Sequence, residues 1–361
     1  MDTLATTPIT TWHHENGAKM APFAGFDMPV QYKGIIVEHK HTRSKVGIFD
    51  ICHMGEFKLS GTGARNTLNK IVSHDLETLS PGKCRYGFLL NESGGINDDL
   101  IIYCLADDDY MLVVNGACRT KDFNHIKSNL PAELVFADIS DETGKIDIQG
   151  PESLDVLNDL LGSKWNGLKY FNFETTDTCG FSMIVSRTGY TGELGYELYL
   201  PADKALEIWE KLIADDRVEP IGLGARDTLR LEIGYPLYGQ DLDENHTPKE
   251  AGAGFFLKKE SEYIGKSGLN KVKKSLIALT IDGRRTARHN DEVLLPNGEK
   301  TGVVTSGSFS PSLGHCLALA YVKAEDAGND TFLIKTARVE LEAKKVALPF
   351  YKDGTARKKT D

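Results

Sequence analysis

A chain of 361 residues is longer than one hydrophobic core comfortably serves, so two or three domains are expected. With 40% hydrophobic and 26% charged residues it has the composition of a soluble globular protein, and its net charge of −10 excludes a general nucleic-acid binder, whose contact face must neutralise phosphates. No apolar run approaches a membrane span, and Met1-Asp2-Thr3-Leu4-Ala5 opens with neither a basic nor an apolar targeting region, which makes a cytoplasmic protein without a membrane partner the expectation.

Through residues 1–50, Pro8, Pro22 and Pro29 interrupt any long helix, and order resumes at Gly34-Ile35-Ile36-Val37-Glu38-His39. From 55 to 136 the texture is mixed. Residues 65–72 have helical periodicity, 99–105 and 110–115 read as paired strands joined by a turn at 107–109, and 121–130 return to helix. A short strand spans 145–150, and Pro151 opens a helix over 152–161, where a first-turn proline is well placed. Strands at 181–186 and 196–200 precede an amphipathic helix at 202–213, and Gly222-Leu223-Gly224-Ala225-Arg226-Asp227 leads into a helix through Ile233. From Ser275 the texture changes. Short strands at 276–281, 292–295, 300–306, 316–322, 331–334 and 339–346, parted by glycine and polar turns, predict an all-β barrel. Before it, strands and helices interleave without a regular βαβ rhythm, which predicts antiparallel α+β units.

Two stretches concentrate chemistry. In Ser186-Arg187-Thr188-Gly189-Tyr190-Thr191-Gly192-Glu193-Leu194-Gly195-Tyr196-Glu197, three glycines spaced by two residues allow a tight turn with positive φ before a strand. Alternation along that strand puts Glu197 and Tyr199 on one face and Tyr196, Leu198 and Leu200 on the other, a carboxylate and a phenol that either hold a polar heteroaromatic ligand or merely edge a solvated hairpin. In Gly94-Gly95-Ile96-Asn97-Asp98-Asp99-Leu100-Ile101-Ile102-Tyr103, a glycine turn delivers two carboxylates to opposite faces of an apolar strand. Either one caps the turn and the other is solvated, or one is held in a partly apolar cleft where it accepts a proton or stabilises a developing cation; the residues alone do not choose between Asp98 and Asp99. Arg226 is unusual for the first turn of a helix, where the macrodipole disfavours a cation, so a structural carboxylate or an anionic ligand should face it.

Other signatures fall short. Gly222-x-Gly224-x-x-Asp227 lacks the third glycine of a dinucleotide fingerprint, and Glu260 stands where a phosphate loop ending in Gly265-Lys266-Ser267 needs glycine. His13-His14 and His39-x-His41 have no acidic or cysteine partners at supporting spacing, and the six cysteines form no Cys-x-x-Cys pair, so no metal is expected. Lys271, Lys273 and Lys274, then Arg284, Arg285 and Arg288, then Arg357, Lys358 and Lys359 gather positive charge in the last quarter, as a solvated face or as a landing surface for an acidic partner.

Taken together, eight collinear segments closely resemble the aminomethyltransferase, or T-protein, family of the glycine cleavage system. They are residues 50–57 (Asp50-Ile51-Cys52-His53-Met54-Gly55-Glu56-Phe57), the Gly-Gly-x-x-Asp-Asp-Leu run, Val113-Val114-Asn115, Ile148-Gln149-Gly150-Pro151, 187–197, 222–232, Leu237-Tyr238-Gly239-Gln240-Asp241 and 305–311. The resemblance implies a three-domain α+β cloverleaf around a tetrahydrofolate site: a discontinuous folate-binding domain of residues 1–50 plus 140–250, an inserted α+β domain of 51–139, and a C-terminal β-barrel of 275–361. It implies transfer of the methylene carbon from an aminomethyl group on the lipoyl arm of the H-protein to tetrahydrofolate, releasing ammonia. It also implies that Asp99 is the essential carboxylate near the pterin nitrogens, Glu197 a pterin-binding acid and Arg226 part of the folate pocket, with Met54, Asn115, Tyr190 and Phe171 lining the cavity. Phe255 stands where many relatives carry tryptophan, giving a smaller stacking wall, and Arg357 is matched to the folate tail. The alternatives are another tetrahydrofolate-dependent one-carbon transferase or demethylase, or a non-catalytic folate-binding factor for RNA modification or iron–sulfur assembly.

Overall fold

Apolar alternation in two adjacent segments decides the first layer. Ile146 and Ile148 of the strand Thr143–Gln149 and Tyr196, Leu198 and Leu200 of its antiparallel neighbour Gly195–Pro201 point to one face, where the helices Ser153–Leu161 and Ala205–Ile213 cover them with Val156, Leu157, Ile208, Trp209 and Leu212. These strands are central in a six-stranded sheet ordered Phe173–Thr176, Met183–Ser186, Gly195–Pro201, Thr143–Gln149, Val46–Asp50, Val218–Pro220. Its last strand runs parallel to Val46–Asp50 and the other pairings are antiparallel. The computed structural model describes residues 3–162 and 165–360; Met1, Asp2, Ser163, Lys164 and Asp361, among them the first and last residues of the expected outer domains, lie outside the described residues.

A second, antiparallel sheet runs Lys83–Leu90, Ile96–Ala106, Asp109–Val114, Gly55–Ser60, Val135–Asp138. One face packs the helices Ala64–Ile71 and Arg119–Ser128 through Leu68, Ile71 and Ile126 onto Phe57, Leu59, Leu100, Ile102, Leu112 and Val114. The third unit is the expected barrel, closed in the order Lys274–Ile281, Cys316–Lys323, Lys300–Phe309, Glu292–Leu294, Thr331–Lys335, Glu340–Val346, with a core of residues such as Leu279, Val304, Ala318 and Phe332.

The N-terminal prolines give a finding that their helix-breaking reading missed. Pro22 and Pro29 lie in a two-stranded hairpin, Lys19–Phe23 with Phe26–Gln31, outside the larger sheets, where a missing N–H is tolerated. Among the described residues no helix is long and apolar enough to cross a membrane.

The three units meet through buried polar links. From the second sheet Tyr103 bonds Tyr199 Oη at 2.9 Å and Ser186 Oγ at 3.1 Å in the first. The helix Leu223–Ile233 then ties the first sheet to the barrel. Arg230 donates to Asp241 at 2.7 Å and to Ser306 at 2.9 Å, while Glu232 accepts from Arg43 at 2.9 Å, pairs with His39 at 3.1 Å and accepts the Ser310 hydroxyl.

Candidate functional site

The Asp-Asp strand resolves as neither a cap nor a solvated end. Ile96–Ala106 is clamped between two neighbours, Asp98 is fully buried with Leu100, and Asp99, paired across from Phe88, keeps partial exposure. Asn115 fastens both carboxylates. Its Nδ2 donates to Asp98 Oδ1 at 2.9 Å and to Asp99 Oδ1 at 3.0 Å, its backbone N–H donates to Asp98 Oδ2 at 3.0 Å, and Tyr86 donates to Asp99 Oδ2 at 3.0 Å. Burial first, then the charge of Asp98, pushes the Asp99 carboxyl up to about 7, so it ionises near neutrality in a poorly solvated place.

Glu197 is not on a hairpin edge, because its strand lies between Met183–Ser186 and Thr143–Gln149 and the polar face is buried too. Only 4% exposed, it accepts from Thr188 Oγ1 at 2.8 Å and Tyr199 Oη at 3.0 Å on one oxygen, and Lys145 Nζ lies 3.6 Å from the other. Burial would raise its pKa; Lys145, Thr188 and Arg226 together outweigh that and hold it below the usual value. Across the ladder Glu197 faces Asp147, which accepts from Arg226 at 2.8 Å. The structural partner anticipated for Arg226 is therefore Asp147, raised to about 7 by burial, with the charge of Glu197 opposing the relief Arg226 gives. Lys145 and Asp147 were not foreseen: in sequence their face of the strand looks solvent-facing, whereas the second sheet and the helix Leu223–Ile233 bury it. Glu56 adds a third carboxyl near Lys145, without a hydrogen-bond partner and raised to about 8, first by burial.

The glycine-rich turn is tight for a reason other than the one expected. Of the three glycines only Gly192 has positive φ, +80°. At Gly189 and Gly195 a Cβ would come within 2.2 and 2.1 Å of the Gln149 side chain, which bonds Thr188 O and accepts from Thr191 there, so these two are small to make room for it.

Around this floor, Arg226 lies over the Tyr190 ring at 5.0 Å, and Tyr190 donates to Pro236 O and stacks 5.8 Å from Tyr235. The charge of Asp99 adds to the burial that raises the Tyr190 phenol, which puts the two strands' chemistry in one neighbourhood. Met54 packs beside Phe49 and Ile51 and receives Lys145 Nζ on its sulfur at 3.2 Å. Phe171, in a left-handed turn at φ +62°, packs with Tyr103, Phe173 and Tyr199, its ring edge-on to Tyr170 at 4.8 Å. Phe255 is 65% exposed with its ring 4.2 Å from that of Phe256, and the Phe256 ring meets Tyr86 at 4.8 Å. The 3₁₀ turn Gly254–Phe256, which has no strong sequence signal, leaves Phe255 more exposed than Phe256. Arg357 is exposed, near enough to Tyr170 for its charge to act there; the buried Arg187 places this tail by donating to Ala356 O, Lys358 O and Thr360 Oγ1.

The histidines set aside as ligands have other partners: His13 bonds Asp50 at 2.9 Å, and His39 bonds Thr228 and Ser312. Lys266 is spent on the carbonyls of Glu260 and Ser261.

The model of the GCVT N-terminal domain matches residues 9–261, and that of the glycine cleavage T-protein C-terminal barrel domain matches 274–352. The chain is 42% identical over 354 residues to an aminomethyltransferase of Chloroherpeton thalassium, covering 95% of this chain and 98% of that one. To an aminomethyltransferase of Thermotoga maritima it is 41% identical over 362 residues, covering 97% and 99%. The crystal structure of glycine cleavage system aminomethyltransferase T from Bartonella henselae superposes with a TM-score of 0.92 at 32% identity, covering 98% of this chain and 99% of that one.

Proposed function

The chain belongs to the glycine cleavage T-protein family, and from that premise we propose that it is an aminomethyltransferase passing the methylene carbon of an aminomethyl-lipoyl H-protein to tetrahydrofolate. The single observation that supports the chemistry is Asp99: a carboxylate held by Tyr86 and Asn115, with an ionisation near neutrality, partly open beside an aromatic and cationic floor. Within this reading the first sheet with its covering helices, the second sheet and the barrel correspond to the three expected domains.

The donor set suits a reduced pterin. Glu197 is a fixed, ionised acceptor for an N–H edge, and one of its oxygens has only the distant Lys145 as partner. Tyr190, Met54, Phe171 and Phe256 supply ring faces and a polarisable edge, and Arg226 and Arg357 supply cations for an anionic tail.

When ammonia leaves the aminomethyl carbon, its C–N bond breaks and positive charge grows on the methylene carbon attached to sulfur. An ionised Asp99 is stabilising to that charge and, because Tyr86 and Asn115 already hold it, no reorganisation is required. One folate nitrogen then forms the first new C–N bond to that carbon, and the C–S bond breaks as a second folate nitrogen forms the other. Of the two protons these nitrogens give up, one leaves with the ammonia and one returns to the lipoyl sulfur. A coupled assay with aminomethylated H-protein and tetrahydrofolate, following methylenetetrahydrofolate, tests this: product and ammonia in equal amounts support it, and an inert enzyme with both substrates loaded refutes it.

A further inference from the structure

Behind Asp99 lies a carboxyl that the reaction as described leaves unused. Asp122, in the first turn of the helix Arg119–Ser128, is fully buried, and neither of its oxygens receives an N–H or O–H from any other described group. It faces Asp98: one oxygen of each and the Cys118 sulfur lie within 4.8 Å of one another. Asp98 is the better home for a charge, since it takes both the backbone and side-chain N–H of Asn115. Lys121, next in sequence, relieves Asp122 only from a distance, because its ammonium is held 2.8 Å from each of Asn97 O, Tyr238 Oη and Glu244 Oε1, and burial and Asp98 outweigh it. Two carboxylates this close, buried and with no cation bonded to either, do not both stay ionised. A proton on Asp122, donated to Asp98, gives one of its two unpartnered oxygens a hydrogen bond and leaves a single charge on the pair.

Building on the role given to Asp99, we propose that Asp122 is a positioning residue: it keeps one proton between itself and Asp98, so that Asp98 grips Asn115 and Asn115 holds Asp99 with a single fixed charge behind it. The linkage is continuous, because the Asn115 amide that donates to Asp98 Oδ1 donates also to Asp99 Oδ1. Burial, then the charge of Asp98, raises the Asp122 carboxyl to about 10, and burial raises Asp98 as well. The other titratable groups facing the trio are Cys118 and Lys121 from the helical segment, Tyr86 from the neighbouring strand, and Tyr190 and Tyr238 from the loops. Burial raises the Cys118, Tyr86, Tyr190 and Tyr238 groups, which therefore stay neutral at neutral pH. Once the shared proton is lost, two charges repel beside Asp99, and activity should fall on the alkaline side.

The test combines infrared spectra, which need no substrate, with pH–rate profiles of D122N and D122L. The wild-type minus D122N spectrum at neutral pH should show the C=O stretch of an un-ionised carboxylic acid, titrating well above neutrality. In D122N, whose amide donates permanently to Asp98, the alkaline limb of kcat should vanish. In D122L, which offers no donor, kcat should fall by more than about tenfold with KM for tetrahydrofolate unchanged, an effect on the barrier of ~1.4 kcal/mol or more. No carboxylic-acid band, a D122N profile identical to wild type, or a stoichiometric divalent metal bound by wild type and lost from D122N would overturn the proposal. If D122L does not fold, the two D122N arms decide. A wild-type enzyme inert in methylene transfer counts against the proposed function alone, and the spectra still decide the shared proton.

Discussion

Asp99→Asn should abolish turnover and make the protein more stable. The carboxyl rises from 3.8 to about 7 in the fold, roughly three units, and at ~1.36 kcal/mol per unit its ionised form costs the native state up to ~4 kcal/mol. That is an upper figure, since Asp99 keeps some contact with solvent. The sign follows from which state binds the proton more tightly. The native carboxyl does, so stability declines as pH rises from the unfolded value near 3.8 to about 7 and is level above it. Asparagine removes the charge and loses one of the two hydrogen bonds from Tyr86 and Asn115, about 1 kcal/mol, leaving a net gain of ~3 kcal/mol at about pH 8 and under ~1 kcal/mol at about pH 5. Urea titrations of both proteins at the two pH values measure this directly, and the midpoint gap should open as pH rises. An Asp99→Asn protein no more stable than wild type at the higher pH, or a gap that does not change with pH, would refute the assignment of Asp99 as a desolvated, strained carboxylate.

The other predictions concern the rest of the site and its supports. The kcat profile of wild type should lose activity as pH falls through about 7, because protonated Asp99 cannot stabilise a cation; a profile flat to pH 5 would contradict this. Glu197→Ala and Arg226→Ala should each weaken tetrahydrofolate binding by roughly 1–3 kcal/mol, read by calorimetric titration, and unchanged affinity would remove them from the pocket. Glu232→Ala takes from Arg43 one of its two carboxylate partners, Glu193 being the other, and from His39 and Ser310 a hydrogen bond, and should destabilise by roughly 1–3 kcal/mol in thermal unfolding. The same Glu232, lowered to about 2 mainly by His39 and Arg43 against its burial, contributes stability that is full above about 4.5 and is lost as pH falls toward 2. Reversing the charges of Lys273 and Lys274 should raise KM for the H-protein several-fold if the basic last quarter receives it, and an unchanged KM assigns docking elsewhere.

Much of the fold was legible because periodicity reports burial on one face. The barrel strands from Ser275 onward, the helices through Leu161 and Ile233, and the paired strands around 107–109 all carry their apolar residues at the spacing their backbones require. What stayed hidden was burial on the second face. Lys145, Asp147 and Glu197 alternate with apolar residues as a solvated strand would, and only the packing of the second sheet and the helix Leu223–Ile233 encloses them. Likewise nothing local marks Asp122 as a partner of Asp98, 24 positions earlier, or separates Phe256 from Phe255. The choice of Asp99 over Asp98 came from the family resemblance; in the structure Asp98 is walled in by Asn115 and Asp122, while Asp99 keeps a path to solvent.

The claim on which the account turns is that the Asp99 charge acts on the reacting carbon and not on folate affinity. A single-turnover experiment with Asp99→Asn, measuring tetrahydrofolate affinity and methylene transfer in the same samples, separates the two. The account predicts binding close to wild type and no methylenetetrahydrofolate; transfer at the wild-type rate, or loss of transfer accounted for wholly by lost binding, would contradict it.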